Sequence, residues 1–84
     1  MTKTKVLIVE DEAPIRDNLV RLLRMEGFEV IEAPNGRIAL LLAQEHLPGL
    51  ILSDVMMPGL SGFDLLASVR QHAALRSIPV ILLS

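Results

Sequence analysis

The chain contains no cysteine, which excludes disulfides and thiolate metal centres. It has no tryptophan or tyrosine either, and its two aromatics are Phe28 and Phe63. Any core must therefore be aliphatic, built from Leu, Ile, Val and Ala. Long apolar runs are missing too. The run behind the first lysines covers only Val6 to Val9 and stops at three acids, short of the ~7–15 residues of a secretory signal. Nothing approaches the ~18–20 apolar residues that span a bilayer. A cytoplasmic location with no membrane partner is the expectation. Neither sign of charge dominates: ten acids against eight bases leave a net −2. A nucleic-acid-binding surface is not favoured in this segment.

What is present is a chain of 84 residues, 51% hydrophobic and 21% charged, with its aliphatics in patterned runs. That is a folding composition, at a length for one small domain at most. Lys5 to Val9 is a continuous, β-branched run that suits a central parallel strand. Pro14 follows at a first-turn position. Ile15, Leu19, Leu22 and Leu23 then mark a helical face, with Arg16, Asp17, Arg21 and Arg24 on the wet side and Gly27 as the stop. Phe28 to Glu32 is less uniformly apolar and reads as an edge strand. Ile38 to Leu47 is helical, with Ala39, Leu42 and Ala43 inward. Leu50 to Leu52 make a third strand that ends at Ser53 and Asp54.

The loop VMMPGLSG comes next, and Ser61 with Asp64 resembles a capping box. Phe63, Leu66 and Val69 form the expected inner stripe of a third helix. Residues 71 to 77 read as a polar link, and Ile78 to Leu83 as a fourth strand. His46 and His72 are expected at the surface. The alternation β-α-β-α-β-α-β predicts an α/β fold with an open parallel sheet and helices on both faces.

Two strand ends carry acids: Glu10 and Asp11 after the first strand, Asp54 after the third. In a parallel sheet all C-terminal strand ends open onto one edge, where ligands bind. If strands one and three are neighbours, these three acids converge from positions more than forty residues apart. Carboxylates so placed need a proton, a cation or separation. A hard, oxygen-seeking cation answers this best, and Mg²⁺ commonly keeps waters beside one or two carboxylates. Glu12, beside a helix N-terminus, reads as a solvated acid.

Three blocks, in order and at matching spacing, resemble the receiver domain of bacterial two-component response regulators. They are KVLIVEDE at 5–12, SDVMMPGLSGFDLL at 53–66 and IPVILLS at 78–84. The resemblance implies a flavodoxin-like receiver fold. It implies a phosphoacceptor at Asp54 and Mg²⁺ held by Asp11, Asp54 and the Met56 carbonyl, with Glu10 assisting through water. It makes Ser84 the hydroxyl that turns toward the phosphoryl group. Pro58, Gly59 and Gly62 would shape the loop.

The phosphoryl donor would be a sensor histidine kinase or phosphotransfer protein, or a small acyl phosphate. Such a domain accepts a phosphoryl group and is not a turnover enzyme. Family members continue through a further helix, strand and helix, and carry a lysine at the end of the fifth strand. Here the lysines are Lys3 and Lys5 alone. Residues 1–84 are therefore expected to be the N-terminal two-thirds of a receiver, lacking the last helix-strand-helix portion. The fragment is expected to lack a complete switch and to self-associate through an exposed fourth strand. Two rival readings remain. One is a phosphate-independent interaction domain. The other is a Mg²⁺-dependent phosphatase with an aspartyl nucleophile, against which Met56 stands where a second Asp is wanted.

Overall fold

Four short apolar runs become the strands Lys5–Val9 (β1), Glu29–Ala33 (β2), Leu50–Asp54 (β3) and Val80–Leu83 (β4). They belong to a computed structural model that describes residues 3–83. The helices Ala13–Met25 (α1), Gly36–His46 (α2) and Gly62–Gln71 (α3) run between them. All pairing is parallel, in the order β2-β1-β3-β4. The fold class is thus the α/β open parallel sheet expected from the alternation, with β2 at an edge.

β1 lies between β2 and β3, and this explains its uninterrupted apolar run. Alternate residues of a strand point to opposite faces. Leu7 and Val9 pack with Ala39, Ala43, Leu65 and Val69 of α2 and α3. Val6 and Ile8 pack on the other face with Val20 of α1. Both faces of β1 are therefore dry. None of the described helices is long and apolar enough to cross a membrane.

Local chemistry sets the helix ends. Pro14 sits in the first turn of α1, and Gly27, at φ 93°, carries the chain out in a left-handed conformation that costs glycine least. The Asn35 side chain accepts from the Ile38 N–H at 2.9 Å, so α2 begins two residues before the periodicity suggests. The capping box of α3 is present in full. Asp64 N–H donates to Ser61 Oγ at 3.2 Å, and Ser61 N–H donates to Asp64 Oδ2 at 3.1 Å.

Several sequence expectations give way to packing. Phe63 is 61% exposed, while Leu65 and Val69 are fully buried. The inward stripe of α3 is therefore Gly62, Leu65, Val69: Val69 is buried as expected, while Gly62 and Leu65 take the places expected of Phe63 and Leu66. In α1 the expected Ile15 and Leu22 stand exposed, and Val20 is the buried residue, flanked by half-buried Leu19 and Leu23. Aliphatic-rich helices offer two overlapping stripes at a period of 3.6, and docking on the sheet selects one.

The link after α3 is not wholly polar, because Leu75 is fully buried in the core. Arg70 Nη1 ties this link down by donating to the carbonyls of Arg76 and Ile78 at 3.0 and 2.8 Å. Ile78 belongs to the link, and β4 begins at Val80. Both histidines are half-buried rather than exposed, and His72 Nδ1 is buried without a hydrogen-bond partner.

The shifted stripe of α3 gives a direct test. Leu65→Ala removes a fully buried side chain and is expected to cost about 2–5 kcal/mol. Phe63→Ala is expected to cost less than about 1 kcal/mol, as an exposed substitution does. Urea unfolding of the two variants measures both, and the reverse order would restore the stripe through Phe63.

Candidate metal centre

The ends of β1 and β3 lie side by side because the two strands pair directly, with Val9 opposite Ser53. One residue on, the chain leaves β1 at Glu10 beside Asp54, the last residue of β3. Asp11 follows in the turn to α1. One carboxylate oxygen from each of Glu10, Asp11 and Asp54 lies within 4.8 Å of the others. Glu10 is buried, Asp54 half-buried and Asp11 exposed, so the group opens to solvent on one side.

Glu10 is held on three sides. Its N–H donates to the Ala33 carbonyl at 3.1 Å. Its carbonyl accepts from Arg16 Nη1 at 2.8 Å, and its carboxylate accepts from the Glu12 N–H at 3.4 Å. Asp54 Oδ1 accepts from the Met56 N–H at 3.4 Å. Behind it, Val55 N–H donates to the Leu83 carbonyl and Gly62 N–H to the Val55 carbonyl, both at 3.0 Å. The start of α3 packs so closely on this strand end that only glycine fits. A Cβ at residue 62 would collide with the Asp54 carbonyl oxygen and sit 2.9 Å from Val55 Cα.

Burial, first, pushes the Glu10 carboxyl above its ordinary value of 4.5. The hydrogen bond with the Asp11 side chain and the charge of Asp54 push the same way, and the Glu12 N–H partly offsets them. Among the described residues the ion pair found joins Arg16 to Glu32, and none engages the three acids. A cation suits such a donor set. Two oxygens at ~2.1 Å from one Mg²⁺ stand at most about 4.2 Å apart. At most one pair of three ligands can stand opposite, and the other pairs lie about 3.0 Å apart on an octahedral ion. Acids spread over as much as 4.8 Å therefore fit one ion once their side chains close in by up to about 1.8 Å, or with one of them acting through water.

Of the residues singled out in the sequence, Glu10, Asp11 and Asp54 come together. Met56 is tied to Asp54 through its N–H, while its side chain is 78% exposed and takes no part. Ser84 lies outside the described residues. Arg16 was placed on the wet side by periodicity, yet its side chain turns back to the Glu10 carbonyl. Its place in the first turn of α1, six residues beyond a strand-end acid, is the signal that could have shown this.

The raised Glu10 carboxyl makes stability depend on pH. Its favourable contribution is fully present below about 4.5 and is lost as pH rises through the higher folded-state value. In metal-free buffer Glu10→Gln is expected to be more stable than the parent at neutral pH, with the difference shrinking as the pH falls. Urea midpoints between acid and neutral pH check this, and a variant less stable than the parent at neutral pH would contradict it.

Comparison with known proteins gives a consistent family. The model of the response regulator receiver domain matches residues 6–84. Histidine kinase P4 of Formosa agariphila is 44% identical over 82 residues, 98% of this chain and 6% of that protein. The phosphate regulon transcriptional regulatory protein PhoB of Pseudomonas aeruginosa is 39% identical over 84 residues, 100% of this chain and 37% of that one. This chain thus spans less than two-fifths of either relative. Among solved structures, the chemotaxis protein CheY4 of Vibrio cholerae superposes with a TM-score of 0.92 at 36% identity, covering 96% of this chain and 68% of that one. The four-stranded parallel sheet, the three acids at its edge and these matches together place the chain in the response regulator receiver domain family.

Proposed function

We propose that Asp54 accepts a phosphoryl group, in a Mg²⁺-dependent reaction, from the phosphohistidine of a sensor kinase or phosphotransfer protein, or from a small acyl phosphate. The observation that carries this reading is the meeting of Asp54 with Glu10 and Asp11 at one sheet edge, with no ion pair among the described residues to neutralise them. Asp11, Asp54 and the Met56 carbonyl would hold the ion, with Glu10 assisting through water. When bound, Mg²⁺ offsets the repulsion between an anionic nucleophile and an anionic phosphoryl group.

The residues of the chain do the rest by position. An Asp54 carboxylate oxygen bonds to phosphorus in line as the bond from phosphorus to the donor's imidazole nitrogen, or to the acyl oxygen, breaks. Little covalent work falls to the protein beyond placement and charge. The Met56 N–H and the close packing of Gly62 hold the strand end still. The new aspartyl phosphate carries charge and acceptor oxygens that can draw nearby hydroxyls, Ser84 in this reading.

The chain then acts as a phosphoaccepting portion of a cytoplasmic receiver and not as a turnover enzyme. Its four strands and three helices correspond to the N-terminal two-thirds of such a domain. Self-association through β4, where Ile81 and Leu83 are 47% and 37% exposed, belongs to the same reading.

Two substitutions test it. Treated with acetyl phosphate and Mg²⁺, or with a phosphorylated kinase, the parent should gain one base-labile modification by mass spectrometry, and Asp54→Asn should gain none. Full modification of Asp54→Asn would overturn the acceptor. Asp11→Asn should weaken Mg²⁺ binding about tenfold or more, the size expected for disturbing a metal's ligand set. Amide shifts followed by NMR measure it, and unchanged affinity would remove Asp11 from the ligands.

A further inference from the structure

β2 ends at Ala33, opposite Val9, so Glu10 is the first residue of the β1 chain with no strand partner on that side. On a parallel strand the N–H and carbonyl of one residue bond to the same neighbouring strand. The Glu10 N–H takes the Ala33 carbonyl at 3.1 Å. The Glu10 carbonyl points to the same side, where the chain has turned away at Pro34. Among the described residues no backbone N–H donates to it. Arg16 supplies the missing donor, with Nη1 2.8 Å from that oxygen. The same guanidinium is anchored to β2, because Nε donates to Glu32 Oε1 at 3.3 Å. The Arg16 side chain is only 17% exposed.

We propose that Arg16 is a positioning residue for the acidic crevice: its guanidinium locks the Glu10–Asp11 peptide and so keeps the Asp11 carboxylate facing Asp54. This rests on the Mg²⁺-dependent reading of that crevice. The warrant is the rigidity of the peptide unit. A planar peptide moves as one body, so gripping the Glu10 carbonyl also fixes the N and Cα of Asp11. Glu32 keeps the grip in register, since it stands opposite Ile8 on the paired strand. The fork geometry of the guanidinium lets one side chain serve both partners, which an ammonium does poorly. Arg16 thus ties three things together: the end of β1, the edge strand, and the first turn of α1.

The sign of one measurement separates this role from a purely electrostatic one. Arg16 is a cation near a cation site. If it acted only through its field, removing its charge would tighten Mg²⁺ binding. If it holds the ligands, removing it weakens binding, by about tenfold as for other groups that orient metal ligands.

The experiment is a Mg²⁺ titration of the parent, Arg16→Met and Arg16→Lys, read from backbone amide shifts, with urea unfolding alongside. Weaker binding in Arg16→Met, with partial recovery in Arg16→Lys, supports the proposal. Equal or tighter binding in Arg16→Met overturns it. Should Arg16→Met fail to fold, Arg16→Lys decides, because it keeps the charge but loses the fork, and parental affinity there overturns the proposal. Backbone order parameters at Glu10 to Glu12, measured without metal, give a second reading. They should fall from the rigid range near 0.85 toward about 0.6 in the variant that folds, and unchanged order contradicts the lock. If the parent itself binds no Mg²⁺, the metal reading fails, and these order parameters still judge Arg16.

Discussion

Direct pairing of β1 with β3 puts the ends of two strands, and with them three carboxylates, into one small space. Two unit charges ~4 Å apart repel by about 1 kcal/mol in water and about 4 kcal/mol at the effective dielectric near a protein surface. The sheet holds them together against this force. Val6, Leu7, Ile8 and Val9 of β1 are each at most 1% exposed. Each buried side chain of this kind is worth about 1.5–3 kcal/mol. The apolar strand therefore outweighs the repulsion at its tip, and leaves the tip with a standing demand for a counter-charge.

The remaining architecture keeps that tip in place. α1 covers one face of β1, while α2 and α3 cover the other. Gly62 lets α3 begin in contact with the end of β3, and the Ser61–Asp64 box fixes where that helix starts. Arg16 replaces the backbone donor that β2 fails to supply. These features lie in the turns after β1 and β3, at the end where the acids meet. Stability and site geometry are thus set by the same contacts, and the acids themselves are the strained part. Burial raises the Glu10 carboxyl first, and the neighbouring Asp11 and Asp54 add to it.

Much of this was legible in the sequence, and the reasons differ by residue. Strand β1 showed because burial on both faces demands an unbroken β-branched run. The convergence of Glu10, Asp11 and Asp54 followed from parallel topology alone, once strands one and three were neighbours. The capping box at Ser61 was visible because it needs two specific side chains three apart. The inner stripe of α3 was not, since Phe63, Leu65, Leu66 and Val69 supply two acceptable faces and only the fit to the sheet chooses. Leu75 was missed because a single buried side chain in a short link has no period. Arg16 was missed because a lone cation on a helix is most often solvated. The Glu10 carbonyl, which takes no backbone donor among the described residues, shows why this one is not.

The central claim is that three carboxylates are forced together by the β1–β3 pairing and repel one another until a cation arrives. A double-mutant cycle between Asp11 and Asp54 tests it most directly. Unfolding free energies would be measured in metal-free, low-salt buffer at neutral pH for the parent, Asp11→Asn, Asp54→Asn and the double variant. Each single substitution should stabilise the chain, and the double variant should gain less than the sum, because either change already relieves the shared repulsion. Additivity within about 0.3–0.5 kcal/mol, the range for independent sites, would contradict it.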